Sequence, residues 1–180
     1  MATSTLGTSM TSAEDIRSIY VTGVRNAHAL EKEAIQILSR QLDRLENYPE
    51  MEALIRQHLA ESKQHEERID EVLEGLGTER SVLKDWATQI MGNAAAVAHV
   101  PAGDEILKNT FANHAFENFE IASYKSLIAM AEASGNQKFI PALQESLREE
   151  EKTAQAVYDM IVPITQKFLT RSAQGLKADR

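Results

Sequence analysis

The sequence predicts an all-α fold, a four-helix bundle whose second and third helices are joined by a long crossover connection carrying an extra short helix. Three observations predict it. Four long segments repeat their apolar residues at the 3.6-residue period of a helix, and no segment alternates with the period of a strand. Ala, Leu, Glu, Gln and Arg dominate while aromatics make up 6%, and straight-chain residues lose little rotamer freedom in a helix. Short breaks at Pro49 and Gly135 force antiparallel neighbours, whereas a long stretch separates the two hairpins so formed.

The first helix is expected from about Ser12 to Asn47. Ser12 suits the N-cap, and Ala13-Glu14-Asp15 puts acid in the first turn, where the helix dipole favours it. Its inward stripe reads Ile16, Tyr20, Val24, Ala27, Glu31, Ile35, Leu38, Leu42 and Leu45. Asn47-Tyr48-Pro49 breaks it, and Pro49 suits the first turn of a second helix running to about Glu74. That stripe reads Leu54, His58, Glu61, His65, Ile69, Val72 and Leu76, with Gly75 and Gly77 as its stop.

The third helix is expected from about Gly103 to Ala133, with Ile106, Thr110, Asn113, Glu117, Glu120, Tyr124, Leu127 and Ala131 inward. Ser134-Gly135-Asn136 is the turn. The fourth runs from about Gln137 to Leu169, with Ile140, Leu143, Leu147, Glu150, Ala154, Val157, Ile161 and Ile164 inward. Pro141 falls in its first turn, and Pro163 should kink or restart it near the end. Between the hairpins, Thr78 to Ala102 carries Trp86, Ile90, Met91 and the run Ala94 to Ala98, and reads as a shorter helix ending at Pro101. The expected layout is a flexible N-terminal tail at 1–12, the bundle at 13–169 and a polar, frayed tail at 170–180. The hairpins also echo each other weakly. His28-Ala29-Leu30-Glu31 returns as His114-Ala115-Phe116-Glu117, and Leu59-Ala60-Glu61-Ser62 as Leu143-Gln144-Glu145-Ser146.

Composition narrows the function classes. The 180 residues suffice for one domain with one core. The formal net charge is −8 and no basic patch stands out, so no nucleic-acid partner is expected. The absence of cysteine removes disulfides, thiolate chemistry, iron–sulfur clusters and Cys-held zinc. Any metal must be held by Glu, Asp, His or water. The Thr- and Ser-rich start lacks the basic head and apolar run of a secretion signal, and no apolar stretch reaches the ~20 residues of a membrane helix. A cytoplasmic location and no membrane partner are expected.

Acid stands where oil should be. Glu31, Glu61, His65, Glu117, Glu120 and Glu150 occupy stripe positions where the spacing calls for Leu or Ile, each near the middle of its helix. An isolated buried carboxylate is costly, and buried charges are paired or metal-bound. Five inward glutamates and one histidine, with no inward Lys or Arg, leave metal as the counter-charge. Glu117 and Glu120 are three apart and Glu61 and His65 four apart, so each pair shares a helix face. Carboxylates from four helices, with extra ligands beside some of them, are how two-metal sites are built into bundle cores. Such a donor set suits iron or manganese better than soft-ligand metals. Within Glu149-Glu150-Glu151, Glu150 continues the line of Leu143 and Leu147, with Glu149 the runner-up. His58 reads as a core histidine or a partner to a ligand, with direct ligation the third choice. His28 and His114 read as partners to ligands or partly exposed, and Tyr124 as a core tyrosine able to donate to a carboxylate.

These residues carry a resemblance. The carboxylate pattern resembles the ferritin-like di-iron proteins, and the stretch from about Asp15 to Ile161 is similar to the YciE/YciF-like family of bacterial stress-associated proteins. The resemblance rests on His58-Leu59-Ala60-Glu61 with His65-Glu66-Glu67-Arg68-Ile69, on Phe116 to Tyr124, and on Glu145-Ser146-Leu147-Arg148-Glu149-Glu150. Glu120-Ile121-Ala122-Ser123-Tyr124 is its most specific string. It implies a ferritin-like bundle and a two-metal site carried to Glu31, Glu61, Glu117 and Glu150, with Glu117 and Glu120 paired as in rubrerythrins. The pattern departs at the nitrogen ligands. A ferritin-type site expects Glu-x-x-His on the second and fourth helices, but Gln64 follows Glu61 by three, and Thr153 follows Glu150. A lopsided two-metal site is one reading and a one-metal site another.

The expected function is a di-iron carboxylate protein that reacts with O2 or peroxide in a stress-response or iron-handling role. Its cofactor would be iron in a two-metal site, with Mn or Zn as substitutes and Glu61 and Glu150 as bridges. Its partners would be metal ions, O2 or peroxide, and further copies of itself in a homodimer or higher homo-oligomer. An iron-storage shell and a non-enzymatic stress-associated helical scaffold with a degenerate site are the alternatives.

Overall fold

The computed structural model describes residues 6–78 and 103–180. Among them the chain forms four long helices and no strand: α1 (Leu6–Leu42), α2 (Pro49–Gly75), α3 (Glu105–Ala133) and α4 (Ile140–Ala173), the last preceded by a 3-10 turn at Gln137–Phe139. The helical bundle predicted from periodicity is present. The short crossover helix expected within Thr78 to Ala102, with Trp86, Ile90 and Met91, lies outside the described residues apart from Thr78.

α1 packs against α2 and α3, and α4 packs against α3 and α2. Every neighbouring pair is antiparallel. The late α1 residue Gln41 exchanges amide hydrogen bonds with the early α3 residue Asn113, both 2.8 Å, while Glu31 meets Tyr124 further along. Between α2 and α4, Glu50 pairs with Lys167 and Arg68 with Glu149. The diagonal helices α2 and α3 therefore run the same way. The chain leaves α2 at one end of the bundle and enters α3 at the other, a separation of about 40 Å along a 27-residue helix.

The helix ends follow local chemistry. Pro49 begins α2, where its missing N–H costs nothing. Gly77 and Gly135 follow α2 and α3 at φ of 65° and 75°, in the left-handed region that a side chain disfavours. Each closes a paired cap: Gly77 N–H donates to Glu74 O and Thr78 N–H to Leu73 O, and Gly135 and Asn136 do the same to Glu132 and Ala131. Three terminal expectations give way. α1 begins at Leu6, so Ser12 lies inside the helix rather than at its N-cap. α4 does not restart at Pro163, which sits on the exposed face, and it continues to Ala173. The last residues fold back instead of fraying. Ala178 is buried, its carbonyl accepts the Tyr48 hydroxyl at 2.6 Å, and Ile106 N–H donates to Asp179 O at 2.9 Å.

The interior is layered. Tyr20, Val24, Ile69, Leu73, Tyr124, Leu127 and Leu143 belong to one apolar cluster. Leu38, Leu45, Tyr48, Met51, Ile55, Ile106 and Ile164 form a second toward the other end. Between them, at mid-helix on every strut, lies a polar layer of Glu31, His58, Ser62, His65, Glu117, Glu120, Ser146, Glu150 and Thr153, all buried. The two oily plugs seal this layer from above and below.

Candidate metal centre

Each helix delivers its polar residues through the same stripe that packs the core. On α3 the inward line is Ile106, Thr110, Asn113, Glu117, Glu120, Tyr124, Leu127 and Ala131, every one of them buried as the 3–4 spacing predicts. On α4, Glu150 is fully buried whereas Glu149 is half-exposed and pairs with Arg68 at 2.5 Å. On α1, Glu31 is buried in line with Val24, Ala27 and Leu38.

α2 differs from the expected register. Its buried line is Met51, Ile55, His58, Ser62, His65, Ile69, Val72 and Leu73. Ser62, not Glu61, occupies the inward position between the two histidines. Glu61 sits on the flank, half-buried, where it accepts from Gln57 Nε2 at 2.8 Å and from Thr153 Oγ1 at 3.4 Å. Positions 61 and 62 both continue a line through residues 58 and 65 within the 100° step of a helix, so periodicity alone does not separate them. The consequence is that α2 turns two imidazoles into the layer and leaves its carboxylate, Glu61, at the layer's edge, where its charge still reaches His58 and Glu117.

The inward donors converge in two groups. His58, Glu117, Glu120 and Glu150 bring one donor atom each to within 4.8 Å of one another, and so do Glu31, His65 and Glu150. Glu150 belongs to both. His58 Nε2 lies 3.0 Å from Glu117 Oε2 and 4.0 Å from Glu150 Oε2. His65 Nδ1 lies 2.7 Å from Glu150 Oε1 and 3.6 Å from Glu31 Oε1. The other His65 nitrogen, Nε2, reaches Glu149 Oε2 at 2.9 Å. Tyr124 donates its hydroxyl to Glu31 Oε1 at 2.5 Å, and its ring meets His65 edge-on. The expected asymmetry is thereby corrected: each group has its own imidazole, because His58 supplies the nitrogen that α4 lacks.

The electrostatics show how far this layer is from balance. Burial pushes Glu120 well above the usual carboxylate range, and the charges of Glu150, Glu31 and Glu117 add to the push. Burial likewise raises Glu31, and lifts Glu117 and Glu150 to about 7. Burial pulls His58 down, so its imidazole is neutral with a lone pair to offer. Burial would lower His65 as well, but the contacts with Glu150 and Glu31 outweigh it and hold the ring at about 10. Many donor atoms here have no hydrogen bond among the described residues. Both oxygens of Glu120, Glu31 Oε2 and His58 Nδ1 are buried in that state, while Glu150 Oε1 and Glu117 Oε2 meet the nitrogens of His65 and His58. Buried polar groups are normally satisfied, and a cluster of such carboxylates could hold a cation. Four carboxylates and two imidazoles are a donor set for iron, manganese or zinc, and four negative charges balance two divalent ions.

Other expected residues lie apart. His114 is half-buried, its Nδ1 3.3 Å from the Ala154 carbonyl oxygen and its ring against Tyr158. His28 lies on the α1–α2 seam with Glu66 and Asp70. No helix among the described residues is long and apolar enough to cross a membrane.

Comparison with known proteins agrees with this architecture. A solved structure from Xanthomonas campestris pv. campestris matches with a TM-score of 0.75 and 28% identity, over 88% of this chain and 99% of that one. The E. coli stress protein YciF matches with a TM-score of 0.71 and 25% identity, over 82% and 94% of the two chains. YcfI of Rhodopseudomonas palustris, at 24% identity and a TM-score of 0.70 over 79% and 92%, shares the fold. The family model described as "Domain of unknown function (DUF892)" matches residues 15–170. With that match over most of the chain, and YciF among its structural relatives, the protein belongs to the YciE/YciF-like DUF892 family.

Proposed function

We propose that the polar layer is a two-metal centre and that the protein is a di-iron carboxylate protein reacting with O2 or peroxide, in a stress-response or iron-handling role. The observation that carries the reading is the pair of donor groups sharing Glu150, lined with buried, unsatisfied acceptors. His58, Glu117, Glu120 and Glu150 would hold one ion, and Glu31, His65 and Glu150 the other, with Glu150 as the bridge. Glu61, expected as a second bridge, stands outside both groups and has no place in this assignment.

Two ferrous ions, when bound there, would supply the two electrons for reduction of O2 or peroxide. The chain supplies the rest. The apolar clusters on either side exclude bulk water, which strengthens each charge interaction in the layer. Tyr124 holds Glu31 in orientation through its hydroxyl. His65 spans from Glu150 on the inside to Glu149 on the half-exposed side, and Glu149 continues to Arg68. That line is the one by which a proton held at His65 Nε2 reaches the surface. The stress setting follows YciF, which is described as a stress protein.

Anaerobic titration of metal-stripped protein with ferrous iron tests the reading. Two tight equivalents per chain and a ferric chromophore after oxygen are expected. No tight binding would leave the helical scaffold as the better account. Its supporting observation is that His65 already contacts Glu31, Glu149 and Glu150, which raise its ring to about 10 and favour an imidazolium there.

A further inference from the structure

A second convergence of metal-ligating side chains lies on the seam between α1 and α2 and shares no residue with the central layer. His28 Nε2 is 3.1 Å from Asp70 Oδ1 and 3.6 Å from Glu66 Oε1, and one donor atom from each residue falls within a 4.8 Å span. Glu66 and Asp70 are four apart on α2, so one face of that helix presents both carboxylates to a histidine from its neighbour.

The spacing matches what one small ion requires. Ligand atoms at about 2.1 Å from a metal stand roughly 3.0 Å apart in octahedral and 3.4 Å apart in tetrahedral geometry. The 3.1 Å separation from Asp70 falls inside that range, and the 3.6 Å separation from Glu66 needs only a small side-chain shift to enter it. The chemistry narrows the ion. Imidazole with two carboxylates favours a transition-metal dication over calcium or magnesium, and the two negative charges neutralise it. The surroundings also differ from those of the central layer. The His28 side chain is 9% exposed, but those of Glu66 and Asp70 are 26% and 21% exposed, so water can complete the coordination and the ion can exchange with solvent. In the central layer the corresponding side chains of His58, His65, Glu117 and Glu150 are 0–2% exposed.

We propose that His28, Glu66 and Asp70 form a separate, solvent-accessible site for one transition-metal dication. The site stands whether or not the central layer binds iron.

Cobalt titration of the metal-stripped full-length protein tests this, read by calorimetry and by the visible d–d bands, with circular dichroism to confirm folding. The variant Glu120→Gln/Glu150→Gln silences the central groups and should still bind one Co2+. Adding His28→Ala to it should weaken that equivalent by at least about tenfold, what loss of even a supporting partner costs at metal sites. Asp70→Asn and Glu66→Gln keep side-chain shape and should act in the same direction, which covers the case of His28→Ala failing to fold. In the wild type, His28→Ala should remove the weakest equivalent and leave the tighter ones. If the centrally silenced variant binds no Co2+, or the seam substitutions leave its binding unchanged, the proposal is overturned. The two readings fail apart: a wild type whose only equivalent vanishes with His28→Ala keeps the seam site and loses the central one.

Discussion

Replacing Glu120 by glutamine separates a metal ligand from a structural acid. Glu120 is fully buried, and neither of its oxygens has a hydrogen bond among the described residues. Burial, with Glu150, Glu31 and Glu117 nearby, raises it well above its ordinary value of 4.5. In the unfolded chain that carboxyl is ionised at neutral pH. Folding without metal must therefore either take up a proton at Glu120 or bury its charge, and both cost stability at neutral pH. Glutamine has the same shape and no such cost, although its amide must also be buried. Glu120→Gln should stabilise the metal-free protein by about 1–3 kcal/mol, raising its melting temperature by about 3–10 °C. The same change should weaken metal binding, because an anionic ligand becomes a neutral one. The assay is thermal unfolding by circular dichroism with chelator and with added ferrous or manganous ion. The stabilisation should appear only with chelator, and the metal-induced gain should shrink. A metal-free Glu120→Gln that is less stable than wild type would refute the reasoning, since the acid would then be holding the fold together.

Further outcomes follow from the same structure. Metal-free protein should lose stability as pH rises from about 5 to about 7: Glu117 and Glu150, at about 7 when folded against an ordinary value of 4.5, bind more protons in the native state across that window. Denaturant titrations at stepped pH measure it, and a rise in stability over the window would contradict the charge assignment. Metal affinity should instead increase with pH through that range, with proton release visible in calorimetry run in buffers of different ionisation enthalpy. Ile69→Ala empties a fully buried position beside the polar layer and should cost about 2–5 kcal/mol in chemical denaturation. Tyr48→Phe removes the hydroxyl that donates to the Ala178 carbonyl and should cost about 1 kcal/mol. It should also make residues after Gly175 more susceptible to limited proteolysis, with little change in metal binding.

Much of this was readable without coordinates, and the reasons differ by helix. The α3 stripe was legible in full, because its apolar and polar inward residues keep one unbroken 3–4 spacing from Ile106 to Ala131. Glu150 was separable from Glu149 because Glu150 continues the line of Leu143 and Leu147, and Leu143 and Glu150 are both buried on α4. α2 was not, since Glu61 and Ser62 straddle the same face. A usable signal existed in the hairpin echo that aligns Ser62 with Ser146. Both are fully buried, and the same alignment pairs Glu61 with the exposed Glu145. His58 was undervalued because its role depends on how near α3 and α4 approach, which no single-helix pattern contains. The C-terminal return was hidden for a related reason. It is held by Asn47, Tyr48 and the Ile106 N–H from distant parts of the chain, and a polar tail carries no periodicity to announce such contacts. The seam of His28, Glu66 and Asp70 likewise exists only once α1 and α2 are laid side by side.

The central claim is that two metal ions share the buried layer through Glu150. Anomalous scattering from crystals grown with ferrous or manganous ion tests it most directly. The account predicts two peaks in the layer, one bounded by His58, Glu117, Glu120 and Glu150 and the other by Glu31, His65 and Glu150. Absence of any peak among these residues, or metal found instead at Glu61, would contradict it.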